Sequence, residues 1–103
     1  MNESNRRESK RLAIPIEIQF WCDATHHRGR IEDLSEGGLY IFTGLRWPPG
    51  TELAFTFNLP NSPKLVIGTA TVMWTEQMGF GVRFDAIDDE SRESIRALVA
   101  ENP

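Results

Sequence analysis

An all-β fold is what this sequence predicts: six strands in one small antiparallel barrel or sandwich, followed by a short helix. Three observations carry that expectation. Apolar residues alternate with polar ones over most of the chain, Gly/Pro turns separate the alternating runs at short intervals, and helical spacing enters only at the C-terminus. At 103 residues and 40% apolar content, the chain has room for one domain around one modest core.

In the first strand, Leu12, Ile14, Ile16, Ile18, Phe20 and Cys22 alternate with Ala13, Pro15, Glu17, Gln19 and Trp21, the period-two pattern of a strand with one buried face. Pro15 has no N–H for a ladder, so its part of the strand belongs at an edge. A second strand spans His27 to Asp33 and a third Leu39 to Thr43, with Ser-Glu-Gly-Gly between them. After the turn signal WPPG (47 to 50), Leu53, Phe55, Phe57 and Leu59 alternate again, and PNSP (60 to 63) is the next turn. Leu65 to Trp74 reads as a long strand with many β-branched residues, and Gly79 to Phe84 as another with Phe80, Val82 and Phe84 on one face. In the closing helix, Asp88 or Asp89 caps an acidic first turn that suits the helix dipole, and Ile95, Leu98 and Val99 form the apolar stripe. Barrel closure would protect the strand edges.

Composition excludes several functions. No stretch approaches the ~20 apolar residues of a membrane span, and MNESNRRESKR is followed by no signal-peptide core, so a cytosolic protein is expected. The single cysteine, Cys22, cannot form an intrachain disulfide, and no Cys/His set has zinc spacing. His26 and His27 point to opposite faces of a strand, and both are expected to be exposed. Trp21 and Trp47 read as surface packing or turn residues. No nucleophile stands at a recognisable spacing from a base, which argues against an enzyme.

The net charge of −4 disfavours a general nucleic-acid binder, but the charge is unevenly spread. Residues 1 to 46 hold seven basic groups against seven acids, and residues 47 to 103 hold four against eight. The basic groups gather in RRESKR (6 to 11) and HRGR (27 to 30), so an anionic ligand would sit near those clusters.

Between the second and third strands, Asp33, Ser35, Gly37 and Gly38 interrupt an otherwise strand-like run. One reading is a plain turn with Asx-type hydrogen bonds and a glycine bulge. The other is a bend that offers a carboxylate, a hydroxyl and bare amides to a planar, anionic ligand. RESKR (Arg7 to Arg11), taken alone, reads as a solvated basic tail.

Together, in this order, the two segments resemble the PilZ domain family. Arg7 to Arg11 fits its RxxxR motif and Asp33 to Gly38 its [D/N]xSxxG motif, and GTATVMW, GFGVRF and the final helix are also similar. The resemblance implies a six-stranded antiparallel β-barrel with a short C-terminal α-helix, spanning residues 12–103. It also implies that residues 1–11 form an N-terminal arm that folds over cyclic di-GMP, a bacterial second messenger. Arg7 and Arg11 can bridge phosphate oxygens bidentately or take the O6 and N7 acceptors of guanine. Asp33 can accept from guanine N1 and N2, Ser35 can add a bond, and Gly37 and Gly38 leave the backbone open, with Gly38 allowing close approach to the ring. Arg6 resembles the extra arginine of members that bind two stacked ligand molecules.

Trp74 has two open roles: stacking on a guanine, as the resemblance implies, or sharing a core face with Val66, Ala70 and Val72. The arm is polar and without an apolar anchor before Leu12, so it is expected to order only on the ligand. The function implied is a stand-alone, non-enzymatic adaptor, with cyclic di-GMP as ligand, no cofactor, and an effector protein from motility, pilus or polysaccharide machinery. The alternatives are a PilZ-like interaction module that binds no nucleotide, and a single-stranded nucleic-acid barrel with stacking aromatics on a basic groove.

Overall fold

The computed structural model describes residues 16–60 and 62–101. Its strands are β1 (Ile16–Cys22), β2 (Thr25–Leu34), β3 (Gly38–Phe42), β4 (Glu52–Asn58), β5 (Leu65–Glu76) and β6 (Gly79–Ala86), followed by helix α1 (Asp89–Glu101). All neighbours are antiparallel, in the order β1-β2-β3-β6-β5-β4, and β4 pairs back onto β1 to close the barrel. Of the two architectures open from the alternation alone, the closed barrel is the one formed. The expected stretch of the first strand before Ile16, with the edge assigned to Pro15, lies outside the described residues, as do Arg6, Arg7 and Arg11.

Alternation explains the interior. β1 buries Ile16, Ile18, Phe20 and Cys22, while β4 buries Leu53, Phe55 and Phe57. Phe20, Phe55 and Phe80 are the largest fully buried side chains. Even eight strands leave an interior only just wide enough for side chains to fill, so a six-stranded barrel is packed solid and a ligand must bind outside it. Cys22 is buried, and that burial pushes its thiol pKa up.

β1 and β2 are joined through Asp23 and Ala24, both at positive φ (56° and 63°), the geometry of a two-residue type I′ hairpin turn. This tight turn starts β2 at Thr25, two residues before the expected His27. His26 is exposed, but His27 is half-buried: it pairs with Phe20, stacks on its ring at 5.3 Å and meets Trp47 edge-on at 4.9 Å. The expectation that both histidines are exposed therefore fails for His27, because its partner in register faces the core. Trp47 is likewise more than a turn residue, since it packs edge-on against Phe20 and Phe80 beside the core.

Helix α1 starts where Asp88 Oδ1 accepts the Ser91 N–H at 2.9 Å, an N-cap that settles the choice between Asp88 and Asp89. Hydrogen bonding with Ser91 holds the Asp88 carboxyl below its ordinary pKa. Ile95 and Val99 are buried in the core, with Leu98 packed against it.

Candidate functional site

Two β-bulges build the outer face on which most of the sequence-predicted site residues meet. Along a regular β2, Ile31 and Asp33 would share a face. An extra residue at Glu32 shifts the register, so Ile31 opposes Ile41 inside the barrel while Asp33 opposes Tyr40 outside it. The same occurs on β5: Val72 opposes Val82 in the core, Met73 is the extra residue, and Trp74 opposes Gly81 on the outside. Because Tyr40 also opposes Gly81, the registers align Asp33, Tyr40, Gly81 and Trp74 in one outward row across β2, β3, β6 and β5.

The row runs into the bend at residues 35–37. There the Gly38 carbonyl accepts from both the Ser35 N–H (2.9 Å) and the Ser35 hydroxyl (3.2 Å), which leaves the hydroxyl oxygen available as an acceptor. The Phe84 N–H donates to the Gly37 carbonyl at 2.9 Å, pinning the bend to β6. A Cβ on Gly38 would sit 2.1 Å from the Val82 carbonyl oxygen, so this glycine is demanded by the close packing of β3 on β6. Gly37 differs: it has ordinary φ, and nothing lies within 4 Å of a Cβ placed there. From the other side, Arg92 donates to the Glu36 carbonyl at 3.2 Å and Arg96 pairs with the Glu36 carboxylate, tying α1 to the bend. That guanidinium holds the Glu36 carboxyl below its ordinary pKa.

The result is a concavity of roughly 210 Å³ whose lining includes Asp33, Ser35, Gly38, Tyr40, Trp74 and Arg83, with Gly37 and Met73. Trp74 is 48% exposed and is not core; the bulge removes it from the face of Val66, Ala70 and Val72. Its indole lies over Gly81, where a Cβ would come within 2.2 Å of the ring. The Tyr40 ring is inclined 27° to it with centroids 6.4 Å apart. Arg83 stands one row away, opposite Gly38, with its guanidinium 3.3 Å from Asp85. Arginine 30 is engaged elsewhere, paired with Glu32 at 2.9 Å and lying over the Phe42 ring at 4.8 Å.

Chemically, the arrangement offers a flat aromatic surface, a carboxylate and hydroxyl beside it, and one arginine at its edge. Such a surface suits a purine with N–H donors and an anionic substituent. Among the described residues, no group of three or more His, Cys, Asp or Glu could hold a metal ion. No helix among them is long and apolar enough to cross a membrane.

Tyr40, Gly81 and Arg83 were not singled out from the sequence. The outward positions of β6 were nonetheless legible: with Phe80, Val82 and Phe84 inside, Gly81 and Arg83 must face out.

A family model described as the PilZ domain matches residues 5–101. The chain belongs to the PilZ domain family. No curated protein matches its sequence. Among solved structures, the Bacillus subtilis inhibitor of motility MotI/DgrA superposes with a TM-score of 0.81 at 17% identity over 93% of this chain. The chain spans 50% of the length of that structure. The PilZ domain of CeSA from a cellulose-synthesizing bacterium gives 0.69 at 18% identity, covering 90% of this chain and 97% of that one. The PilZ domain of Escherichia coli YcgR, solved with c-di-GMP, gives 0.64 at 18% identity over 90% of this chain and 85% of that one. At such identities these likenesses speak to the PilZ fold.

Proposed function

We propose that this PilZ domain is a non-enzymatic, cytoplasmic adaptor that binds cyclic di-GMP on the face between the Asp33–Gly38 bend and Trp74. The observation that carries this reading is the single outward row of Asp33, Tyr40, Gly81 and Trp74 beside Ser35. Residues distant in sequence converge there on one small surface, and the family contains a PilZ domain solved with this ligand. In the complex, a guanine stacks on Trp74 while Asp33 accepts from its N1 and N2 donors, and the Ser35 hydroxyl adds a polar contact. Gly37 and Gly38 keep side chains off the bend. Arg7 and Arg11 of the arm take phosphate oxygens and guanine acceptor edges, drawing residues 1–11 across the ligand and altering the surface offered to an effector protein. Arg6 adds a guanidinium for a second ligand molecule stacked on the first.

Calorimetry with cyclic di-GMP on the purified protein is the test. Wild type should bind two molecules per domain, and Asp33→Ala and Ser35→Ala should fold normally and weaken binding, Asp33→Ala by roughly 1.5–3 kcal/mol, the worth of a charge-assisted hydrogen bond, and Ser35→Ala by roughly 0.5–1.5 kcal/mol, that of a neutral one. Variants that bind like wild type would displace the site, and a ratio of one would remove the second molecule. Limited trypsin digestion with and without ligand should show protection at Arg6, Arg7, Lys10 and Arg11. A flat titration would leave the PilZ-like interaction module without nucleotide.

A further inference from the structure

The geometry points to Glu76 as a positioning residue that holds Tyr40 and Trp74 together as one aromatic floor for a stacked purine. The inference rests on the reading of this face as a nucleotide site, and it concerns how the floor is kept in place.

Glu76 ends β5 opposite Gly79, one row beyond the row of Trp74, Gly81 and Tyr40. Its carboxylate reaches back to both rings: Oε1 accepts from Tyr40 Oη at 3.2 Å and Oε2 from Trp74 Nε1 at 3.3 Å. An indole N–H can only donate, so its orientation is set by where an acceptor stands. Here one acceptor serves both rings from strands separated by β6. β6 itself leaves the space, because its outward positions beneath the two rings are Gly79 and Gly81. A Cβ on Gly79 would sit 2.9 Å from Tyr40 Oη, and one on Gly81 would collide with the Trp74 ring. Both aromatics therefore lie down over bare backbone, their far ends fastened to one carboxylate. Burial, and then the charge of Glu76, push the Tyr40 hydroxyl pKa up, so it stays a donor across the physiological range.

An exposed tryptophan without such a tether samples several rotamers and must be ordered when a base lands on it. Held by Glu76, the ring is ordered beforehand. Removing the tether should weaken binding by about three- to ten-fold, the fold-change that corresponds to immobilising one large side chain.

The full-length protein and its Glu76→Ala, Glu76→Gln, Trp74→Ala and doubly substituted Glu76→Ala/Trp74→Ala variants should be titrated with cyclic di-GMP, and near-ultraviolet circular dichroism recorded on each without ligand. Glu76→Ala should lose that affinity, and Glu76→Gln, which keeps one acceptor oxygen, should fall between it and wild type. In the Trp74→Ala background Glu76→Ala should cost less than it does in wild type, since only the hold on Tyr40 is left to lose. A Glu76→Ala variant with wild-type affinity, or losses that multiply in the double variant, would overturn the assignment. If wild type itself binds no cyclic di-GMP, the nucleotide reading fails, and the tether is then judged on the free proteins. Loss in Glu76→Ala of the spectral contribution that Trp74→Ala removes supports it; a wild-type spectrum in Glu76→Ala overturns it.

Discussion

Val72 and Trp74 stand two residues apart on β5, where a regular strand would put them on one face, yet Val72 is 1% exposed and Trp74 48%. Ile31 and Asp33 repeat the contrast on β2, with one side chain in the core and the other lining the outer concavity. In both places one inserted residue separates packing from display. The lesson is that this barrel makes its candidate site by interrupting its own alternation.

The sharpest way to break this contrast is at the bend. Gly38→Ala places a Cβ against the Val82 carbonyl, where only backbone could yield, and should destabilise the fold by about 3 kcal/mol or more, measured as a lowered urea midpoint. Val72→Ala should lose about 2 kcal/mol of stability to the cavity it leaves, while the folded fraction binds ligand as wild type does. Trp74→Ala should show the reverse: stability within about 0.5 kcal/mol of wild type, and binding weakened by roughly 1–3 kcal/mol. If Trp74→Ala proved as destabilising as Val72→Ala, the separation between packing and display would be false.

Gly81→Ala sharpens the comparison with Gly38→Ala. Its Cβ would meet the Trp74 ring, a side chain that can swing aside, whereas at Gly38 it meets backbone. Affinity should fall as in Trp74→Ala, with a smaller loss of stability than in Gly38→Ala. The smallest effect belongs to the tie between the bend and α1. Glu36 has its pKa lowered in the folded state by Arg96, so the contribution of the pair is fully present above the ordinary carboxylate pKa and is lost as pH falls through the lowered pKa of the folded state. Glu36→Gln should therefore be less stable than wild type at about pH 7, the difference should shrink as the solution is acidified below the ordinary carboxylate range, and added salt should narrow it because the pair is exposed.

Much of this was legible beforehand. The alternations Ile16 to Cys22 and Leu53 to Leu59, the helix cap and the stripe of Ile95, Leu98 and Val99 are local patterns, and local patterns are written residue by residue. Asp33, Ser35, Gly37 and Gly38 were legible because several turn-forming and polar residues fell inside a strand-like run. His27 was misread because its burial depends on Phe20 across the hairpin and on Trp47, twenty residues along the chain. Tyr40, Arg83 and Glu76 were passed over because singly each is an ordinary outward residue of a strand.

By itself the sequence determined the class of fold, the strand and turn positions, and the polar bend, because all of these follow from periodicity and side-chain type at short range. Closure of the sheet followed from the family resemblance of its motifs, and only the tertiary structure decided that Trp74 faces outward and that Asp33, Tyr40, Gly81 and Trp74 form a single row. The physical reason is register. A bulge adds one residue without changing composition, and its consequence appears only when four strands are hydrogen-bonded side by side, where a shift of one residue turns a core position into a displayed one.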